Sequence, residues 1–271
     1  MKSLSDIQHL YTPVQPTVYA SDQHVSYTEW LPDERLQNSI YCYWQLQTTS
    51  ELPDPFNYHV VADGCIDIYF DLNDPKESYV MGFCDSFTEF SLGKQFNYVG
   101  IRFFPTMFPQ LFRVNARTLS NRFVDLHTIL PEVAVFLSDH FHKQLTPVEM
   151  STLFNSYFIE CVTTTTFDED NRLYRAIALI LNHSGNIAIE KELATGISSR
   201  QLRRLFDYYI GTTPKTFSKV IRFQRTIVNG SSGHPVMESN EFFDAGYYDQ
   251  AHFIKEFRTF YGTTPGKVPE R

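Results

Sequence analysis

Arg200, Arg203 and Arg204 stand at i, i+3 and i+4, a spacing that puts all three side chains on one side of a helix. Such a cationic row can neutralise phosphates, and an arginine fork fits the edge of guanine. Further on, Gln250, His252, Lys255 and Arg258 flank an apolar stripe. Glutamine pairs with adenine, and the basic groups reach phosphates. Ser199 and Arg222 complete the candidate polar set. The chemistry these residues suit is binding to a duplex. Catalytic patterns are scarce by comparison: no glycine-rich phosphate loop, GxSxG or HExxH occurs. No metal site or cofactor is expected. His140 and His142 read as surface residues of a helix over 128–143. Asp63, Asp67, Asp71 and Asp74 read as solvated strand positions, because they do not share one loop.

The elements that must hold these residues announce themselves by repetition. The tetrapeptide GTTP occurs at Gly211–Pro214 and again at Gly262–Pro265, 51 positions later. Aligned on it, SSRQLRRLFDYYI overlies DQAHFIKEFRTFY. Leu202, Phe206 and Tyr209 then match Phe253, Phe257 and Phe260, each triple spaced i, i+4, i+7 as on one helical face. Ser198 and Asp249 suit N-caps, and Ser198 with Gln201 forms a capping-box pattern. Gly211 and Gly262 suit left-handed helix ends, after which Thr-Pro opens a new helix. Glycine turns at Gly196 and Gly246 precede each copy. Between the copies, 214–229 carries Phe217, Ile221 and Val228 as a stripe, with Arg222 and Arg225 elsewhere on the surface. This rod of ~24 Å could hold two recognition helices about one DNA turn apart, ~34 Å.

Charge divides the chain in the same place. Net charge is −8, yet residues 172–271 hold 14 Lys/Arg against 9 Asp/Glu, and residues 1–171 hold 9 against 22. A basic part that meets nucleic acid is thus joined to an acidic part with another task. With 42% hydrophobic residues the chain can bury a core. Its longest apolar run, AIALIL, is too short for a bilayer, and MKSLSDIQHL has no secretory character. A cytoplasmic chain with four unpaired thiols (Cys42, Cys65, Cys84, Cys161) is expected.

The first part reads as strand. SIYCYWQL, YHVVADGCIDIYFDL, SYVMGF and NYVGIRFF are dense in β-branched and aromatic residues. Asp63-Gly64 signals a hairpin, after which Ile66, Ile68, Phe70 and Leu72 share one face. TPVE at 146–149 opens a helix with a capping box and runs to about Val162. The expected fold class is α+β: an N-terminal antiparallel β-barrel or sandwich with following helices over 1–162, a linker over 163–171, and an all-α part over 172–271 with two helix-turn-helix motifs. Arg102, a lone cation within an apolar strand, pairs with an acidic neighbour or meets an anionic effector; Tyr43 and His59 are further candidates for an effector site.

Residues 172–271 resemble the AraC/XylS-type DNA-binding domain. AGYYDQAHFIKEFRTFYGTTP matches its C-terminal signature, and SSRQLRRLF matches its first recognition helix. ADGCIDIYF and YVGIRFFP resemble a sensor domain of one branch of that family. The resemblance implies seven helices in the C-terminal part and a bacterial transcription regulator. Its partners would be double-stranded promoter DNA, RNA polymerase or a second copy of itself, and a small-molecule effector, with no membrane and no enzymatic activity. Bases would be read by Arg200, Arg203, Arg204, Gln250, His252 and Lys255. The family's branched-residue-plus-alanine pair is replaced in the second unit by Glu241 and Phe242, and Ala251 and Ile254 stand where the first unit has Arg200 and Arg203. The first unit is therefore expected to carry more of the specificity, and the second to clamp phosphate through Lys255 and Arg258. Two other readings stay open: a regulator acting through protein contacts alone, and a barrel enzyme fused to a DNA-binding module, for which the strand region offers only His24 and His59.

Overall fold

The computed structural model describes residues 7, 9–16, 24–168, 170–189, 196–230 and 246–268. Its first part is built on antiparallel strands. β1 (Val25–Trp30), β2 (Ile40–Thr48), β4 (Ile66–Asp71), β5 (Asp74–Met81), β7 (Asn97–Phe103) and β8 (Phe123–Asp125) form one sheet in the order β1-β2-β7-β4-β5-β8. β3 (Asn57–Val60) and β6 (Thr88–Ser91) form a separate two-stranded ribbon. Asp63-Gly64 therefore does not close a hairpin. Gly64 makes a left-handed turn (φ 81°), but the strands on either side of it leave for different sheets.

Both faces of the large sheet are covered. Alternation along β4 sends Ile66, Ile68 and Phe70 one way, where they join Ile101, Phe103, Phe154 and Phe158 in the main core. The other way, Trp44, Leu46, Tyr69 and Tyr98 meet the ribbon and form a second, aromatic core with Tyr58 and Phe96. Gly100 makes this close approach feasible: a Cβ there would lie 2.2 Å from the Trp44 indole.

Helices follow: α1 (Met107–Phe112), α2 (Leu126–Ile129), α3 (Pro131–His140) and α4 (Pro147–Thr164). The single helix expected over 128–143 is two short ones. Leu130 leaves helical geometry and Phe141 is extended, so His142 lies beyond the helix. α4 opens with the expected capping box of Thr146 and Glu149. The C-terminal part contains α5 (Asn171–Asn182), α6 (Ser199–Tyr209), α7 (Pro214–Gly230) and α8 (Gln250–Tyr261). The main core continues through them without a break, including Leu173, Phe206, Phe217, Phe223 and Phe257. The segment between α4 and α5 is tied down. Gln110 bonds Asp168 at both its backbone nitrogen (2.9 Å) and its carbonyl (2.7 Å), and Tyr209 donates to the Asp168 carboxylate at 2.6 Å.

Candidate nucleic-acid interface

Each copy of the repeated segment is a capped helix. In α6 the Ser198 hydroxyl accepts from the Gln201 amide (3.3 Å), while the Gln201 side chain accepts from the Ser198 amide (3.2 Å). In α8 the Asp249 carboxylate accepts from the His252 amide at 2.7 Å. Gly211 (φ 91°) and Gly262 (φ 92°) end the two helices in the left-handed conformation, which costs glycine nothing sterically. The apolar triples Leu202/Phe206/Tyr209 and Phe253/Phe257/Phe260 are all buried. Burying those faces turns the polar ones outward.

On α6 the outward face is that of Ser199, Arg200, Arg203 and Arg204, all exposed. None of the three arginines makes an ion pair among the described residues. On α8, Gln250, Ala251, Lys255 and Arg258 are exposed. Ala251 and Ile254 stand among them, so this face carries fewer hydrogen-bonding groups than that of α6.

Two residues expected on that surface are engaged within the chain. Arg222 is not a surface cation. Its side chain is 12% exposed, donates to Glu256 at 2.5 Å, and lies 4.4 Å from the Tyr247 ring centre. The reason is that α7 is buried on more than one stripe. Val220, Phe223, Gln224 and Ile227 are inside as well as Phe217 and Ile221, which leaves Arg222 facing α8. His252 is half-exposed and pairs with the same carboxylate at 3.6 Å; its ring packs on Tyr247. Glu256, a residue the sequence reading passed over, is 5% exposed and also takes Lys219 at 3.4 Å. An acid between the cations of a basic helix was the available signal. The pairing of Glu241 and Phe242 with the second unit lies outside the described residues.

The end of each candidate reading helix is roofed by the N-terminal part. The Gly211 carbonyl accepts from Ser120 Oγ (2.5 Å) and from the Arg117 guanidinium (3.3 Å). At the other copy, the carbonyls of Thr259 and Phe260 accept from the amides of Phe87 (3.0 Å) and Ala62 (3.3 Å), and Phe87 packs on Gly262. Phe87 directly precedes β6, and Ala62 follows β3 by two residues. Gln224 of α7 strengthens this junction, bonding the backbone of Ala62 and Val14.

The three effector candidates are dispersed. Tyr43 is fully buried on the main-core face, stacked on Phe154 and donating to Asn155. Its ring belongs to the packed main core, on the face opposite Trp44 and Tyr69. His59 pairs with Glu89 across the ribbon at 2.7 Å. Arg102, 3% exposed, is held by Asp67 (3.1 Å), Glu29 (3.3 Å) and Asp63 (3.4 Å). Asp63 and Asp67 are thus parts of a buried ion cluster, not solvated strand positions; a buried guanidinium requires such partners. Burial pushes the Asp67 carboxyl up to about 6 despite the adjacent cation. Arg102 and Asp67 line a cavity of about 230 Å³ between the large sheet and the ribbon.

Two family models match the chain. Residues 193–271 match a helix-turn-helix domain, and residues 28–125 match a domain of unknown function, DUF6597. The C-terminal segment is thus matched as a helix-turn-helix domain. A helix-turn-helix domain is a DNA-binding module, and the match puts that module in the C-terminal part of the chain. No curated protein matches the chain. Among solved structures, apo ToxT from Vibrio cholerae strain SCE256 is 11% identical, with 91% of this chain and 97% of that one covered and a TM-score of 0.44. ToxT from Vibrio cholerae O395 gives 11%, 91%, 97% and 0.41. The same protein bound to (E)-4-(8-methylnaphthalen-1-yl)but-3-enoic acid gives 10%, 90%, 98% and 0.41. Among the described residues, no helix is long and apolar enough to cross a membrane.

Proposed function

We propose that this helix-turn-helix regulator reads promoter DNA with two helices, α6 and α8, in adjacent major grooves. The observation that carries the reading is the outward row Arg200, Arg203 and Arg204, on a helix whose opposite face is locked into the core. Arginine forks would supply base choice on α6. Lys255 and Arg258 would hold phosphate on α8, with Gln250 its one amide reader. Arg222 and His252 leave the contact set, since both serve Glu256. Functionally the chain divides into a sensing or dimerising unit over 1–162, a connection over 163–171 and the reading unit over 172–271, acting in the cytoplasm. An effector in the ribbon-side cavity and a second copy of the chain are the partners of the first unit; RNA polymerase is the partner of the regulator on its promoter.

Gel-shift titration on a site recovered by genome-wide mapping tests this. Arg204→Ala should weaken specific binding by roughly 1–3 kcal/mol and relax choice at one base pair. Lys255→Ala should weaken binding to all sequences alike and reduce the salt slope by about one. Unchanged binding of both variants to operator and random DNA would reject the two-helix reading. A second reading rests on Ala251 and Ile254, which give α8 an apolar outer spot suited to a protein surface. It requires binding by the wild type that is insensitive to salt.

A further inference from the structure

The cavity between the large sheet and the ribbon has a wall and a floor of different chemistry. Its wall is aromatic: Trp44, Tyr58, Tyr69, Phe90 and Tyr98, with Phe123 at the rim, 58% exposed. Its polar floor is Asp67 and Arg102. Among the described residues Arg102 is the one cation in contact with Asp67, Asp63 and Glu29, so three carboxylates share one guanidinium. Asp63 also accepts from Gln15 and the Cys65 amide, and Asp67 from the Trp44 indole at 3.0 Å. All three nitrogens of Arg102 face carboxylates, and the acids outnumber it. An entering anion would meet the excess of carboxylate charge around Arg102. A cation would find opposite charge beneath it and ring faces around it, the arrangement that attracts ammonium groups.

We propose that this cavity is a binding site for a compact organic cation of the alkyl- or arylammonium class, seated against the aromatic wall with its charge toward Asp67. The proposal rests on the effector reading above and gives that effector a chemical class. The wall is also the ribbon. Tyr58 and Phe90 lie on β3 and β6, whose neighbours Ala62 and Phe87 bond the last turn of α8, so an occupant bears on a strand pair already attached to a reading helix.

The test uses the full chain and three probes of one shape: choline, the neutral 3,3-dimethylbutan-1-ol, and the anionic 3,3-dimethylbutanoate. Binding is followed by calorimetry and by tryptophan fluorescence, to which Trp44 in the cavity wall contributes. Choline should saturate the site at least tenfold more tightly than the alcohol, with the acid weakest. Asp67→Asn should erase the preference of choline over the alcohol. Phe123→Ala, at an exposed rim position, should weaken choline several-fold with the circular dichroism spectrum unchanged; it keeps the test sound should Asp67→Asn fail to fold. Equal affinity of choline and the alcohol, preference for the acid, or no saturation by choline would overturn the cation site. Operator affinity is measured with and without saturating choline. Saturation with unchanged operator affinity would uphold the cation site and reject effector control alone.

Discussion

Arg222 stands between an acid and a ring, and Glu256 is reached by Arg222, Lys219 and the His252 ring, so the tilt of α8 against α7 depends on one buried carboxylate. Removing one member of a buried pair strands the other. Arg222→Ala should therefore destabilise the chain by about 3 kcal/mol, read as a lower urea midpoint. Specific DNA binding should fall with it even where the variant remains folded, because α8 loses its brace. Asp67 supplies a second residue-scale expectation. Its folded carboxyl sits at about 6, above its ordinary 3.8, so the native chain holds this proton more tightly than the unfolded one. The stabilisation from that proton is fully present below about pH 4 and is lost as pH rises through 6. Across that window the urea midpoint of the wild type should fall relative to Asp67→Asn; parallel profiles would contradict this origin. Neither residue's setting was legible in the sequence. Arg222 shows helical spacing to the eye, but its partner lies 34 positions away, and periodicity names a face without saying what covers it. Asp67 alternates with apolar neighbours as a solvated residue would, and only the docking of the ribbon removes its water.

The helices that carry the candidate contacts were the most legible elements, because their signals are local. Ser198, Gln201 and Asp249 make the caps their types suggest, and both glycines adopt the left-handed turn. Ser198→Ala should cost about 1 kcal/mol and fray the start of α6 where Arg200 is held, seen as faster amide exchange there and weaker operator binding. Gly262→Ala should cost more than the ~1 kcal/mol of the backbone conformation alone, since the new methyl would come within 2.8 Å of the Phe87 ring; the thermal midpoint measures it. Strand pairing was less legible. Asp63-Gly64 has hairpin chemistry, yet β3 pairs with β6 and β4 with β5 and β7. Those partners are chosen by distant registers that no short stretch encodes. The extent of burial on α7 was hidden for a related reason: a helix enclosed on several sides carries polar residues, such as Ser218 and Gln224, that read as surface until their partners appear.

At the scale of the whole molecule, charge asymmetry separates two parts that packing joins. One hydrophobic core passes through both, and the connecting segment is held by Gln110 and Tyr209. Heat or urea should therefore unfold the chain in a single transition, with tryptophan fluorescence (both tryptophans lie in the first part) and far-ultraviolet dichroism changing together. Two separated transitions would mean that the shared core contributes little. The roofing of Gly211 by Ser120 and Arg117, and of Gly262 by Phe87, carries a lesson for anyone recombining such chains. A front half borrowed from a relative would have to bring its own hydroxyl and its own ring to those two spots, in the same relative placement. Without them the borrowed half would govern one joint and leave the other adrift, so inheritance of the reading helices and of the half that covers them is bound together by two small knuckles of backbone.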